Sequence, residues 1–338
     1  MFNVELWDSI SLDRPSFNVE SSHPRLPPES VSVDIALAAL GRKEAELSSM
    51  LRRGSPYFYI LPIVVLAGGL IYYCIGFSAY ASLTDWNGLT RMDFVGVANY
   101  ADLIEDPTFW IALRNNLVFM AATIVIQAVL GLLIAVIAKE RLPGSNVYKA
   151  IFFLPIAMAP AIIATVFKYM LEANYGTLNE SLRALGLIGP DAVIQWLGKD
   201  LGIWSIILIN VFQWMGFSMM TYYAGLMSIP DELYEAGMID GAGWWRRLVS
   251  ITIPSLRGTT SVLVILGIVG SLKTFDIVWL TTGGGPGVST QFLNTFLVQT
   301  RADREAGYAS AIGVVILVLA FALAMLQIRA SNRERSIR

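Results

Sequence analysis

The sequence predicts an all-α integral membrane protein with six transmembrane helices, and three observations carry that expectation. Apolar residues make up 55% of the 338-residue chain and charged residues only 15%, against about 25% charged in soluble domains; the mean hydropathy is +0.58. Six apolar runs reach the roughly 20 residues that a helix needs to cross a bilayer core. Lys and Arg are unevenly shared between the segments that join those runs, as they are in proteins inserted by the positive-inside rule.

The first 30 residues lack a basic start followed by an apolar run, so they do not resemble a secretory signal. Pro15, Pro24, Pro27 and Pro28 among scattered serines indicate an irregular tail. From Ser32 to Arg53, residues Ile35, Leu37, Leu40, Leu47 and Leu51 fall at roughly helical spacing, with Arg42, Lys43, Glu44 and Glu46 between them. That pattern suits an amphipathic helix on the membrane or on a partner, and equally a solvated helix before the first span.

The six runs are Tyr57 to Tyr80, Leu113 to Ala138, Val147 to Met170, Leu201 to Met227, Thr259 to Leu280 and Tyr308 to Ile328. Each is expected to be helical, because a lone segment in lipid satisfies its backbone hydrogen bonds only that way. Pro155 and Pro160 should kink the third run, which suits a helix that lines a cavity. The chain then divides into a tail, 1–56, a six-helix domain, 57–330, and a short basic tail, 331–338. With the N-terminus inside, the inner segments from residue 42 onward hold fourteen Lys and Arg and the outer loops six: Arg91, Arg114, Arg183, Lys199, Arg301 and Arg304. Both termini and the insert from Ser228 to Gly258 are therefore expected on the cytoplasmic side of the cell membrane. The outer loops Thr84 to Ala112 and Leu171 to Asp200 carry Trp86, Trp110 and Trp196, residues suited to the membrane interface.

The insert between the fourth and fifth runs carries helix signals of its own. Ser228 with Asp231 resembles a capping box, Pro230 suits a first turn, and Asp231, Glu232 and Glu235 place negative charge near a helix start. Gly241 and Gly243 break the pattern, and Trp244, Trp245, Leu248 and Val249 resume it on a second short segment. Two short helices held outside the bilayer suit a docking lever for another protein.

Several chemistries are absent from the sequence. The net charge of -2 gives no reason to expect nucleic-acid binding, and one cysteine (Cys74) with one histidine (His23) excludes a disulfide framework and a Cys/His zinc site. Cys74 lies in an apolar run, as a small buried or lipid-facing side chain; His23 lies in the polar tail. The stretch TTGGGPG, Thr281 to Gly287, lacks the spacing of a phosphate loop and reads as a glycine-rich turn closing the fifth run. There is no Ser/His/Asp or Cys/His set for nucleophilic catalysis. Any uphill transport must draw its energy from a partner subunit or an ion gradient.

Ionisable residues inside a membrane need a reason. Lys273 and Asp276, three apart in the fifth run, could neutralise each other on one helix face. They could line a translocation path with Thr274 and Thr281, or form a structural pair against a neighbouring subunit. Lys168, near the end of the third run, is placed to snorkel. Asn210, Gln213 and Trp214 in the fourth run, with Gln127 in the second, could bind a hydroxylated solute through amide hydrogen bonds and ring stacking, or act as interhelical glue.

The insert resembles the EAA loop of binding-protein-dependent ABC importer permeases: Glu-Ala-Ala, three residues, Gly, nine residues, then Ile-x-Leu-Pro. Here the pattern reads Glu235, Ala236, Gly237, then Gly241, then Ile251, Ile253 and Pro254, with every spacing kept and with Gly237 and Ile253 as substitutions. Phe94 to Asn116, Phe152 to Leu171, Ala224 to Gly243 and Lys273 to Pro286 resemble the sugar-transporter branch of that family, so the likeness runs collinearly from about Tyr57 to Ala330. The resemblance implies a type I ABC importer permease with six transmembrane helices and cytoplasmic coupling helices. It implies a second, similar permease subunit, two ABC ATPase subunits that bind the ATP and Mg, and an external or lipid-anchored solute-binding protein, with no cofactor on this chain. It also implies that Glu235, Ala236, Gly237, Asp240, Gly241, Trp244, Trp245, Arg246, Leu248 and Pro254 form the ATPase-coupling element, with Glu235 and Asp240 pairing with basic residues and Trp244, Trp245 and Leu248 as apolar anchors. The Phe-Asp segment recurs across transporters of different sugars, which favours a structural role for Lys273 and Asp276. A secondary transporter would instead show inverted repeats, and none is evident.

Overall fold

The structure is a computed structural model that describes residues 60–89, 91–140, 144–303 and 305–336, with side chains to residue 329. The tail 1–56, with the amphipathic helix expected at Ser32 to Arg53, lies outside the described residues, as do the side chains of 331–338. Two compact units divide between Tyr72 and Tyr73. The described part of the first, residues 60–72, is helical and belongs to α1, Ile60–Ala81.

In the second unit, β1 (Thr84–Asp85) pairs antiparallel with β2 (Asp93–Phe94), with Thr84 opposite Phe94. A short helix α2, Ala98–Glu105, leads into α3, Pro107–Lys139. Asp106 starts α3 by accepting the Thr108 backbone N–H at 2.7 Å, and Pro107 occupies the first helical position. The third run becomes α4 (Ser145–Phe153), a 3₁₀ turn (Leu154–Ala157) and α5 (Pro160–Met170), bent by 97°. The expected proline kink is thus a full break: Met158 and Ala159 are extended, and Pro160 opens a new helix.

The loop after α5 holds α6, Thr177–Ala184, before α7, Gly202–Met227. The insert consists of α8 (Asp231–Ile239), α9 (Trp244–Arg247), a π turn (Leu248–Thr252) and α10 (Ile253–Ser255). The helical stretch Trp244–Ser255 joins α11, Arg257–Lys273, at 65°. The fifth run ends early: Thr274 is extended (φ −61°, ψ 122°), and α12, Asp276–Thr281, is a separate short helix. Gly283, Gly284 and Gly287 all have positive φ in the glycine-rich turn that follows. The chain finishes with α13, Leu293–Ala302, and α14, Ala306–Ser336. Among the described residues, four helices are long and apolar enough to cross a membrane, and the count reaches six if each bent pair is one span.

The core is built on α3 packed along α7. Gly131 of α3 permits that approach, because a Cβ there would meet Ser218 Cβ at 2.8 Å. Phe119, Ile163, Ile206, Ile209, Val278 and Phe292 form the central apolar cluster. A second cluster, with Leu103, Phe109, Phe296 and Ile312, ties α2 and α13 to α14, and a third, with Met219, Leu226, Ile229 and Leu256, lies toward the insert. Trp196, expected at the interface, is packed against the central cluster and donates its indole N–H to Asn179 Oδ1 at 2.8 Å. The loop around it closes on itself, so the ring serves loop packing. Cys74 on α1 and Lys168 on α5 are exposed.

Candidate functional site

The insert is held to the bundle on one side and bare on the other. Pro230, extended at ψ 135°, precedes α8, whose first turn carries Asp231 and Glu232 at the positive end of the helix dipole. The expected capping box does not form, because the Ser228 hydroxyl turns back to donate to the Gly225 carbonyl at 2.7 Å. The end of α8 is a Schellman motif: Ala242 N–H reaches the Gly237 carbonyl at 2.9 Å and Gly241 N–H the Met238 carbonyl at 3.0 Å, with Gly241 at φ +72°. Gly237, where the family pattern has Ala, sits where a Cβ would meet Ile251 Cδ1 at 2.9 Å, so the missing methyl lets α8 approach the returning segment.

Lys139, at the end of α3, lies 3.6 Å from Asp231 and 4.3 Å from the centroid of the Tyr234 ring. Tyr234 Oη and Thr252 Oγ1 are 3.1 Å apart, which links α8 to the π turn. Leu248 is only 7% exposed, so this residue, expected as a partner anchor, is instead part of the insert's own core. The outward face shows Leu233, Met238, Ile239 (87% exposed), Trp244, Trp245 (69%) and Val249. Glu235, Ala236, Asp240 and Arg246 are exposed too, and Pro254 is half-buried. Among the described residues neither Glu235 nor Asp240 forms an ion pair. A contiguous apolar patch rimmed by free charges is the mark of an interaction surface.

The second feature is a cavity of about 490 Å³ in the bundle, lined by Gln127 of α3, Asn210, Gln213 and Trp214 of α7, Pro160 of α5, and Lys273, Thr274 and Asp276. Seven of the eight side chains considered for a solute path (Gln127, Asn210, Gln213, Trp214, Lys273, Thr274 and Asp276) line it, and Thr281 does not. It adjoins the break before Pro160 and the break at Thr274, and irregular backbone at membrane depth is tolerated where it is buried in protein or lines a cavity. Gln213, 1% exposed, donates Nε2–H to the Met158 carbonyl at 3.3 Å, capping the break before α5. Its Oε1 is buried and has no hydrogen-bond partner. Gln127 donates to Asn210 Oδ1 at 2.9 Å, so the interhelical role of these amides is also real.

Two expectations change here. Lys273 and Asp276 do not share a helix face: Lys273 ends α11, Asp276 opens α12, and no ion pair joins them, because the extended Thr274 turns the chain between them. Thr281 is buried and donates to the Ile277 carbonyl inside α12, away from the cavity. Sequence reasoning missed the buried amides of Asn115 and Asn116 and the part-buried amide of Asn294; Asn116 and Asn294 take up backbone carbonyls at the second break, and Asn115 takes up those of Ser289 and Gln291 beyond it. Two adjacent asparagines within an apolar run were the available signal.

Residues 127–335 match the family model described as binding-protein-dependent transport system inner membrane component. The chain is 33% identical over 279 residues to YurN, a probable ABC transporter permease protein of Bacillus subtilis, across 81% of this chain and 94% of that protein. It is 32% identical over 282 residues to MalF, the trehalose/maltose transport system permease protein of Thermococcus litoralis, across 82% of this chain and 94% of that protein. Its fold matches a chain of a bacterial alginate ABC transporter, solved in complex with an alginate pentasaccharide-bound periplasmic protein, with a TM-score of 0.72 and 21% identity over 85% of this chain and 98% of that one. Six potential spans, an insert with a bare apolar face, and these likenesses agree: the chain belongs to the binding-protein-dependent transport system inner membrane components, the permeases of ABC transporters.

Proposed function

We propose that this permease is a membrane subunit of an ATP-driven importer for a sugar or sugar derivative. The observation that carries the reading is the cavity at the two helix breaks, whose lining includes the amides of Gln127, Asn210 and Gln213 and the ring of Trp214. Its volume falls within the roughly 300–1,000 Å³ usual for small-molecule sites. The unpartnered Gln213 Oε1 offers a buried acceptor to a ligand hydroxyl. The names of its relatives support the solute class, since one is a trehalose/maltose permease and the structural neighbour carries alginate.

In this reading the solute arrives from an external or lipid-anchored binding protein, and a second, similar permease completes the pathway. Two ABC ATPase subunits bind ATP and Mg and dock on the exposed face of the insert, through Glu235, Ala236, Asp240, Trp244, Trp245 and Arg246. Gly237, Gly241 and Pro254 shape that face, and Leu248 holds it in place. The Lys and Arg bias supports a cytoplasmic insert and cytoplasmic termini, with residues 57–330 as the permease domain between the tails 1–56 and 331–338.

The test has two arms. The cognate solute-binding protein is screened by calorimetry against carbohydrates, amino acids and metal ions; binding of a non-carbohydrate alone would overturn the solute class. The complex carrying Gln213→Leu or Trp214→Ala is then assayed in proteoliposomes with the solute identified. Uptake should fall at least tenfold while the ATPase stays bound. Wild-type uptake by both variants would remove the cavity from the path.

A further inference from the structure

We propose that Asn294 and Asn116 are positioning residues that aim the break between α11 and α12 into the cavity; this rests on reading the cavity as the solute path. A helix end leaves carbonyl groups without intrahelical partners, and no water is available to them in a membrane core. At the end of α11 a side-chain amide from another helix takes the Leu272 and Thr274 carbonyls, and a second amide adds to the Ser271 carbonyl, which also accepts the Thr274 backbone N–H at 3.3 Å. Asn294 of α13 donates Nδ2–H to the Leu272 carbonyl at 2.7 Å and to the Thr274 carbonyl at 3.2 Å. Asn116 of α3 donates to the Ser271 carbonyl at 3.3 Å and accepts the Leu293 backbone N–H at 2.8 Å. Each asparagine therefore ties the end of α11 to the start of α13.

Neither asparagine lines the cavity, whereas Lys273, Thr274 and Asp276 do. The Leu272 and Thr274 carbonyls flank the Lys273–Thr274 pair, so the amide that holds both sets the ψ angle of 122° at which the chain leaves α11. Without those donors the carbonyls turn to other partners and the cavity side chains turn with them. Asn115 is the internal control. It is as buried as Asn116, but it donates to the Ser289 and Gln291 carbonyls, beyond the break.

The experiment uses the assembled complex, with this chain made cysteine-free by Cys74→Ser, and reads modification of this subunit by 2-aminoethyl methanethiosulfonate. One reporter is Thr274→Cys at the break, and the other is Phe217→Cys on the α7 wall of the same cavity. Asn294→Asp, nearly isosteric but without the amide donors, should change the rate at position 274 at least tenfold and at position 217 less than twofold. Asn115→Asp should leave both rates within twofold. An unchanged rate at 274, a parallel change at both reporters, or an equal effect of Asn115→Asp overturns the proposal. If Asn294→Asp does not assemble, Asn294→Ser, too short to span both carbonyls, is read by the same criteria. The readout involves no solute, so its failure leaves the solute-path reading standing, and failure of that reading leaves the positioning result intact.

Discussion

Replacing Gly241 separates the backbone shape of the insert from its surface chemistry. Gly241 sits at φ +72°, and a Cβ built there meets nothing within 4 Å. The cost of a side chain is therefore conformational and free of any clash. For an ordinary L-residue in the left-handed region it is about 1–2 kcal/mol, which lowers the population of the correctly turned insert about 5- to 30-fold. A β-branched residue is strained further, whereas Asn tolerates that region. Gly241→Val should thus break the Schellman motif, in which Ala242 and Gly241 donate to Gly237 and Met238, and misdirect Trp244 and Trp245. The assay is co-purification of the ATPase subunits with the membrane complex, together with solute-stimulated ATP hydrolysis. Gly241→Val should lose most of both, Gly241→Ala should be intermediate, and Gly241→Asn should retain most. Stoichiometric, coupled ATPase on Gly241→Val, or equal defects in the Val and Asn variants, would refute the reasoning.

Other substitutions probe the remaining layers. Leu248→Ala removes a side chain that is 7% exposed and should destabilise the insert by about 2–5 kcal/mol, seen as faster hydrogen exchange across 231–255. Trp245→Ala removes one that is 69% exposed; exchange there should stay within about 0.5 kcal/mol of wild type while ATPase retention falls, and the reverse pattern would invert the two roles. Gly216→Ala drives a methyl into the Phe152 carbonyl and to 2.9 Å from Phe153 Cα; the overpacking should cost about 1–3 kcal/mol, and an unchanged melting temperature in detergent would contradict the α4–α7 contact. Glu172, in the loop after α5, is held below its ordinary value of 4.5, chiefly by the Tyr175 backbone N–H and further by Asn174. A depressed carboxyl contributes order that is present above pH 4.5 and lost as pH falls through the lowered value. Protection of residues 172–176 from proteolysis should therefore drop in acid, and Glu172→Gln should remove that pH dependence; an unchanged acid response would assign it elsewhere.

Membrane insertion and helix formation are decided by local composition, so six apolar runs, their order, the polar insert and the spacing from Glu235 to Pro254 were legible in the sequence by itself. Proline chemistry is local too, and Pro155 and Pro160 announced the interruption of the third span. What a side chain touches across the bundle is not local. Whether Leu248 faces a partner or its own core depends on which side of the insert meets α3, and the tertiary structure buried it. The break after Lys273 carries no glycine or proline at Thr274 or Phe275 to announce it. It exists because Asn116 and Asn294, 155 residues before Ser271 and 22 after Leu272, supply the hydrogen bonds that a continuous helix would have made for itself. Only the folded chain could bring those amides to the break, and with it bring Lys273, Thr274 and Asp276 to the cavity that α3 and α7 share.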